Sequence, residues 1–220
     1  MDTKTKGYKG IGMEGPIATW YAKITHRDLQ EFKALAKRMS EGLRPGADVL
    51  ELAPGPGYFA IELARLGNYK ITGLDISKTF VEMARKNARE AGVLVNFQRG
   101  NGSSMPFADD SFELIVCRAA FKNFTDPLGA LREMRRVLKL CGKAVIIDLR
   151  KDASKEQIDA HVDQMHVGKL TSAFIKLSFR TMLLKRAYRR ADFERFIAES
   201  GFQKFEIGEA PIGFEITLQK

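Results

Sequence analysis

Long apolar runs, cysteine and histidine are what this chain has least of. No stretch approaches the roughly 18 apolar residues of a membrane-spanning helix, and the opening MDTKTKGYKG lacks the apolar region of a secretory signal. The two cysteines, Cys117 and Cys141, are too few for a disulfide framework, so a reduced, cytoplasmic setting is expected. With three histidines and no Cys-x-x-Cys pair, no metal site is expected. Internal repeats and low-complexity tracts are also missing.

What is present is an ordinary globular balance, 45% apolar and 29% charged over 220 residues, enough for one α/β domain with an insertion. The formal net charge of +9 is spread along the chain, which weakens it as a sign of nucleic acid. One segment departs from that evenness. Between Asp163 and Asp192 there is no acid, yet Lys169, Lys176, Arg180, Lys185, Arg186, Arg189 and Arg190 all fall there.

Residues 1–10 are polar and rich in Gly and Lys, and read as a mobile end. From Ile17 to Met39 apolar residues recur at helical spacing. Strand-like runs then alternate with helical ones: VLEL, YKITGLDIS, LVNFQRGN, FELIVCRA and KAVIIDLR, with DPLGALREMRRVLKLCG as the helix before the last. Such alternation predicts βαβ units winding a parallel sheet. VLEL, ELIVC and AVIID lack polar alternation, as strands covered on both faces do. FQKFEIGEA and GFEITLQK, joined by a short turn, predict an antiparallel hairpin at the sheet's edge. About 40 residues of helical pattern between the fifth strand and the helix Arg190–Ser200 are too many for a loop. The expected architecture is one α/β domain over 1–220 with a doubly wound, mostly parallel, seven-stranded sheet. Within it, 1–45 form a helical lid, 46–150 the ligand-binding core, 151–190 a helical cap, and 191–220 a helix and hairpin.

The chemistry concentrates around VLELAPGPGYFAIELAR, residues 49–65. Gly55 and Gly57 permit backbone angles and a close ligand approach that a Cβ would block. Asp75 ends the second strand, 24 residues after Glu51, where a carboxylate accepts hydrogen bonds from ribose hydroxyls. GNGSSMPFADDSFELIVC then supplies a polar loop whose start meets the same carboxyl edge of the sheet.

These segments, in this order, resemble the class I S-adenosylmethionine-dependent methyltransferases. ELAPGPGY is similar to their glycine-rich first motif, GLDIS to their ribose-binding acid, and GNGSSMPFADDSFELIVC to their G-D-A…P-F…S-F-D stretch. The resemblance spans residues 47–150, and KNFTDP with REMRRVLK resembles the ubiquinone/menaquinone C-methyltransferase group. It implies a Rossmann-like fold and S-adenosylmethionine as cofactor, released as S-adenosylhomocysteine. By that resemblance Ala53, Pro54, Gly55 and Gly57 cradle the methionine portion and Glu51 holds its ammonium. Asp75 takes the ribose and Ile76 lies against adenine. Asn101, Gly102 and Ser103 flank the adenine edge, and Arg118 meets the carboxylate or sulfonium end. Tyr21 either closes over the cofactor or packs in the core. The chain departs from the family pattern at Ala53, usually Gly, and at Asn101, usually an acid.

No Tyr-x-x-x-Lys pair comes after the glycine turn, which disfavours a nicotinamide oxidoreductase. The Pro-Cys pair of RNA cytosine methylases and the Asn/Asp-Pro-Pro-Tyr motif are missing too, so nucleic acid is not the expected substrate. The acceptor is expected to be a small molecule, methylated by direct displacement. His161 and His166 are the candidates for a general base, with solvated helix residues as the alternative. Leu170, Phe174, Leu177, Leu184 and Tyr188 form a shared helical face within 168–190. That segment either packs on the domain or meets an anionic membrane. A non-catalytic cofactor-binding or regulatory protein, or a methyltransferase acting on RNA or protein, remains the alternative function. Oligomeric state is not legible.

Overall fold

The computed structural model describes residues 7–9, 12–164 and 168–220. Its centre is a seven-stranded sheet of β1 (Asp48–Leu52), β2 (Lys70–Asp75), β3 (Asn96–Arg99), β4 (Phe112–Arg118), β5 (Leu138–Leu149), β6 (Lys204–Glu209) and β7 (Gly213–Gln219), in the order β3-β2-β1-β4-β5-β7-β6. β1 to β5 pair in parallel, Val49 lying opposite both Ile71 and Leu114, while β7 runs antiparallel between β5 and β6. The winding direction reverses between β1 and β4, which opens a crevice at their carboxyl ends.

Both faces of the sheet are covered, which is why the strand sequences do not alternate. Leu50, Leu52, Ile115 and Cys117 join one cluster with Leu131, Phe193 and Phe214. Val49, Leu114 and Val116 join the other with Phe32, Leu35 and Phe59. The helices on these faces are α2 (Leu29–Ser40), α3 (Tyr58–Ala64), α4 (Lys78–Glu90), α5 (Pro127–Val137) and α9 (Arg190–Ser200). α4 starts where the Ser77 hydroxyl accepts the Phe80 N–H at 3.0 Å. α5 starts where Asp126 accepts the Gly129 N–H at 2.8 Å, with Pro127 in the first turn.

Two boundaries differ from the sequence reading. The Ile17–Met39 pattern is two helices, α1 (Gly15–Thr25) and α2, joined by a 3-10 turn at His26–Asp28. The Thr25 hydroxyl donates to the carbonyls of Tyr21 and Ala22, a local bond that competes with a continuous helix. In DPLGALREMRRVLKLCG the helix stops at Val137. Leu138 is fully buried and pairs with Phe112, so sheet pairing overrides helix propensity there.

Over 151–190 lie α6 (Lys155–Gln164), α7 (Lys169–Ser178), a π-helical turn at Phe179–Leu183 and the short α8 (Leu184–Arg186). The expected common face is divided. Leu184 packs inward with Ile175 and Phe179 against Ile158 and Val162, and Tyr188 lies against Phe193 and Phe196. Phe174 and Leu177 face outward. The π turn closes i→i+5 rather than i→i+4, which rotates α8 relative to α7. Among the described residues no helix is long and apolar enough to cross a membrane.

Candidate active site

The β1–α3 turn alternates left-handed residues with prolines. Ala53 and Gly55 have φ of +54° and Gly57 of +83°, with Pro54 and Pro56 between them. A β-carbon on Gly57 would stand 2.7 Å from the Phe97 ring, so this glycine serves helix packing. Ala53 carries its β-carbon into a region that disfavours it by about 1–2 kcal/mol, held by the bond its N–H donates to the Leu74 carbonyl at 2.8 Å.

Two carboxylates meet at this turn. Asp75 accepts the Gly55 N–H at 3.0 Å and the Ser77 N–H at 2.9 Å, and Glu51 accepts the Ala60 N–H at 3.1 Å. Both are buried. Burial outweighs those hydrogen bonds and pushes Asp75 up to about 6 and Glu51 up to about 8, the charge of Asp75 adding to the rise at Glu51.

Arg118, at the end of β4, donates to Glu31 of α2 at 2.7 Å, and its guanidinium lies 4.4 Å from the centre of the Phe32 ring. Tyr21 of α1 packs its ring 5.8 Å from Phe80, and burial raises its phenol to about 12. Asn101 accepts the Ser103 N–H at 3.0 Å, so one lone pair of its side-chain oxygen is already engaged. The Ser103 hydroxyl turns away and donates to the Asp126 carbonyl at 2.7 Å. His161 on α6 lies ring to ring with Phe179 at 6.1 Å.

A single open cleft of about 1950 Å³ brings together Tyr21, Glu51, Ala53, Pro54, Gly55, Asp75, Ile76, Asn101, Gly102, Arg118 and His161. Gly57 and Ser103 are not on its wall. His166 lies outside the described residues.

Other residues on this wall have no counterpart in the sequence reading. Residues 7–9, expected as part of a mobile end, run along the 123–125 segment: Lys9 N–H donates to the Asn123 carbonyl at 2.7 Å, and Thr125 N–H to the Gly7 carbonyl at 3.2 Å. A β-carbon on Gly7 would stand 2.8 Å from Ile76 and 2.9 Å from Asn101, so the strap crosses the cleft at the edge read as the adenine subsite. The one aromatic residue of that polar stretch, Tyr8, was the available signal. Its phenol is raised by burial, opposed by the nearby Arg186. Lys122 is the second omission. Its ammonium donates to Asp148 at 2.8 Å and to the Ala119 carbonyl at 2.6 Å, and both partners of the ion pair are almost fully buried. Nothing in KNF or IID marks them as partners 26 residues apart.

S-adenosylmethionine fits these groups: buried carboxylates to accept from an ammonium and from ribose hydroxyls, Ile76 as an apolar plate, and Asn101 as a polar edge. A doubly wound sheet of this order, with a glycine turn after β1 and an acid closing β2, defines the class I S-adenosylmethionine-dependent methyltransferases. Residues 50–146 match the family described as Methyltransferase domain, which together with this topology supports a methyltransferase domain of this class over that segment. Over 101 residues it is 42% identical to the uncharacterized methyltransferase YcgJ of Bacillus subtilis, covering 46% of this chain and 40% of that protein. Over 116 residues it is 35% identical to the ubiquinone/menaquinone biosynthesis C-methyltransferase UbiE of Shewanella sediminis, covering 51% and 46%. The chain thus spans less than half the length of these two relatives. A crystal structure from Methanococcus maripaludis, provisionally assigned as an S-adenosyl-L-methionine-dependent methyltransferase, shares the fold. Its TM-score is 0.77 over 96% of this chain and 95% of that one, at 23% identity.

Proposed function

We propose that the chain transfers the methyl group of S-adenosylmethionine to a small, largely apolar acceptor held between α1 and the α6–α8 segment. One observation carries this reading: the cleft wall has two chemically different halves. The half over β1 and β2 offers Glu51 and Asp75, whereas the half beneath the helices offers Trp20, Ile24, Phe174, Ile175, Phe179 and Met182.

In this reading Glu51 holds the ammonium of the methionine portion and Asp75 the ribose. Ile76 and the free lone pair of Asn101 meet the adenine, backed by the strap at Gly7. Ala53, Pro54 and Gly55 keep the turn open to the ligand. The bound cofactor supplies a methyl already activated by its sulfonium, so displacement needs an aligned nucleophile and little water. Tyr21 and Arg118, fixed by Phe80 and by Glu31 with Phe32, orient the reactants. His161 takes a proton from acceptors that must lose one, with the half-buried Asp28 within electrostatic reach of it. The chain works as one unit, with 1–45 as lid and 151–190 as cap. Two free thiols, one buried and one exposed, support a cytoplasmic setting.

The test is release of S-adenosylhomocysteine across a panel of small acceptors, led by ring-carbon acceptors such as hydroquinones in view of the UbiE relative. Turnover with an apolar aromatic acceptor, reduced at least tenfold in His161→Ala for acceptors that need deprotonation, supports the reading. Tight cofactor binding with no turnover on any small acceptor overturns it in favour of a non-catalytic binding protein.

A further inference from the structure

Nine large apolar side chains are strongly exposed among the described residues, and five of them belong to two neighbouring elements. Ile17 and Trp20 lie on α1; Phe174, Leu177 and Met182 lie on α7 and the π turn that continues it. They are between 43% and 58% exposed, and the Trp20 and Phe174 rings meet edge to face at 6.2 Å, joining the two elements into one surface. α7 and its π turn therefore carry two apolar faces. Ile175 and Phe179 use the inner one against Ile158 and Val162. The outer one has no covering element among the described residues, although an apolar stripe on a surface helix is normally spent on a core.

Three features say what covers it. The first is charge: no acid occurs between Asp163 and Asp192, and the exposed Lys169 and Lys185 flank the surface without a carboxylate partner among the described residues, whereas Lys176 is paired with Asp163 at 2.7 Å. The second is side-chain chemistry. A tryptophan, a phenylalanine and aliphatic side chains beside lysines match the interfacial layer of a bilayer, where aromatic rings sit at the headgroup level. The third is continuity, because Ile17, Trp20, Phe174 and Met182 line the cleft mouth as well as the outer surface. A second copy of this chain fits less well, since pairing two such faces would bring cationic rims of like sign together.

We propose that the face formed by α1, α7 and the π turn docks on an anionic lipid bilayer, with the mouth of the cleft opening onto the membrane. An apolar acceptor dissolved in the bilayer then reaches the cleft without crossing water. This deepens the acceptor class given above, but docking does not depend on methyl transfer. Lack of vesicle binding with turnover intact removes this proposal alone, and lack of turnover with binding intact removes the other alone.

Trp20 is the only tryptophan in the chain, so its emission reports on this surface directly. The full-length protein is sedimented with vesicles of phosphatidylcholine alone and of phosphatidylcholine with phosphatidylglycerol, and Trp20 emission is recorded with and without brominated acyl chains. Expected are roughly tenfold or greater preference for the anionic vesicles, weakening as salt rises, a blue-shifted Trp20 emission, and quenching by bromine. K169E/K185E should weaken partition roughly thirtyfold and L177S roughly tenfold. All three side chains are exposed and off the cleft wall, so the variants should keep the parent's circular dichroism, thermal midpoint and turnover on a water-soluble acceptor. Equal binding to both vesicle types, or an unquenched Trp20, overturns the proposal. So does a blue shift that appears without lipid as the chain self-associates with rising concentration. Capture by soluble polyglutamate as tight as by anionic vesicles, with Trp20 unshifted, overturns it in favour of an acidic soluble partner.

Discussion

On one side of the cleft, Glu51 and Asp75 are fixed by backbone N–H groups above strands whose Leu50 and Leu52 have no exposed surface. On the other side, Trp20, Phe174 and Met182 are about half exposed, and among the described residues the cluster against which α7 and its π turn pack is the small one around Ala153, Ile158 and Val162. The first wall is braced through the whole sheet; the second is held by a few apolar contacts. Stability within a protein tracks such differences in packing, and elements that admit ligands are drawn from the weaker end. A braced wall suits a ligand of fixed shape, while a looser wall of flexible Met, Phe and Ile side chains adapts to an acceptor.

The comparison breaks most easily at the buried pair that ties the turn after β4 to β5 in the same sheet. Lys122→Met should cost about 3–5 kcal/mol in denaturant unfolding, because Asp148 is left buried without its cation, and Lys122→Met with Asp148→Asn should recover part of that loss. If the single variant costs under about 1 kcal/mol, the pair is solvated and this side is not rigid. The contrast sharpens with two leucines. Leu131→Ala, in the large cluster, should cost about 2–5 kcal/mol, while Leu177→Ser should stay within about 0.5 kcal/mol. Equal losses would mean that the exposed surface supports the fold.

Asp75→Ala tests the ligand side of the braced wall. It removes an acceptor of ribose hydroxyls and leaves the Gly55 and Ser77 amides without their partner, so cofactor affinity by calorimetry should fall by about 1.5–3 kcal/mol, roughly ten- to a hundredfold. Unchanged affinity would refute the ribose assignment. The smallest effect is in pH. Glu51 and Asp75 have folded-state pKa values raised by burial, so their contribution to stability is complete below the usual carboxylate range and is lost as pH rises through about 6 and about 8. The carboxyls of Glu14, Glu113, Glu133 and Asp152 are held below their ordinary values, so their titration falls beneath this window. The ligand-free protein should therefore lose thermal stability as pH rises from the usual carboxylate range to about 8, more steeply below about 6, where both carboxyls contribute, than above it, where Glu51 alone does. An ammonium at Glu51 favours the ionised form, so cofactor binding near neutral pH should release a proton, measured by calorimetry in buffers of different ionisation enthalpy. Binding without proton release would place the ammonium elsewhere.

Much of this is legible in the sequence wherever a local pattern has a single physical solution. The buried strands VLEL and ELIVC, the glycine turn and the acid closing β2 each announce their environment through composition, and they sit in the sheet as read. Reading fails where two segments distant in sequence have to be weighed together. Leu138 reads as helix because its pairing with Phe112 lies outside any local window. The strap at residues 7–9 reads as mobile because the 123–125 backbone that binds it is far along the chain. Ser103 is near the expected loop, but its hydroxyl meets the Asp126 carbonyl instead of the cleft.

The sequence by itself determined the doubly wound, mostly parallel sheet and the glycine turn and acid at its carboxyl edge, because period, burial and turn chemistry are local properties. Only the tertiary structure decided what faces the acceptor. Which side of α7 points inward depends on the π turn at Phe179–Leu183 and on α6, and whether Lys122 is exposed or buried depends on Asp148 in β5. Orientation about a helix axis and the partner of a buried charge are set by packing between segments, and a chain carries that information only in its fold.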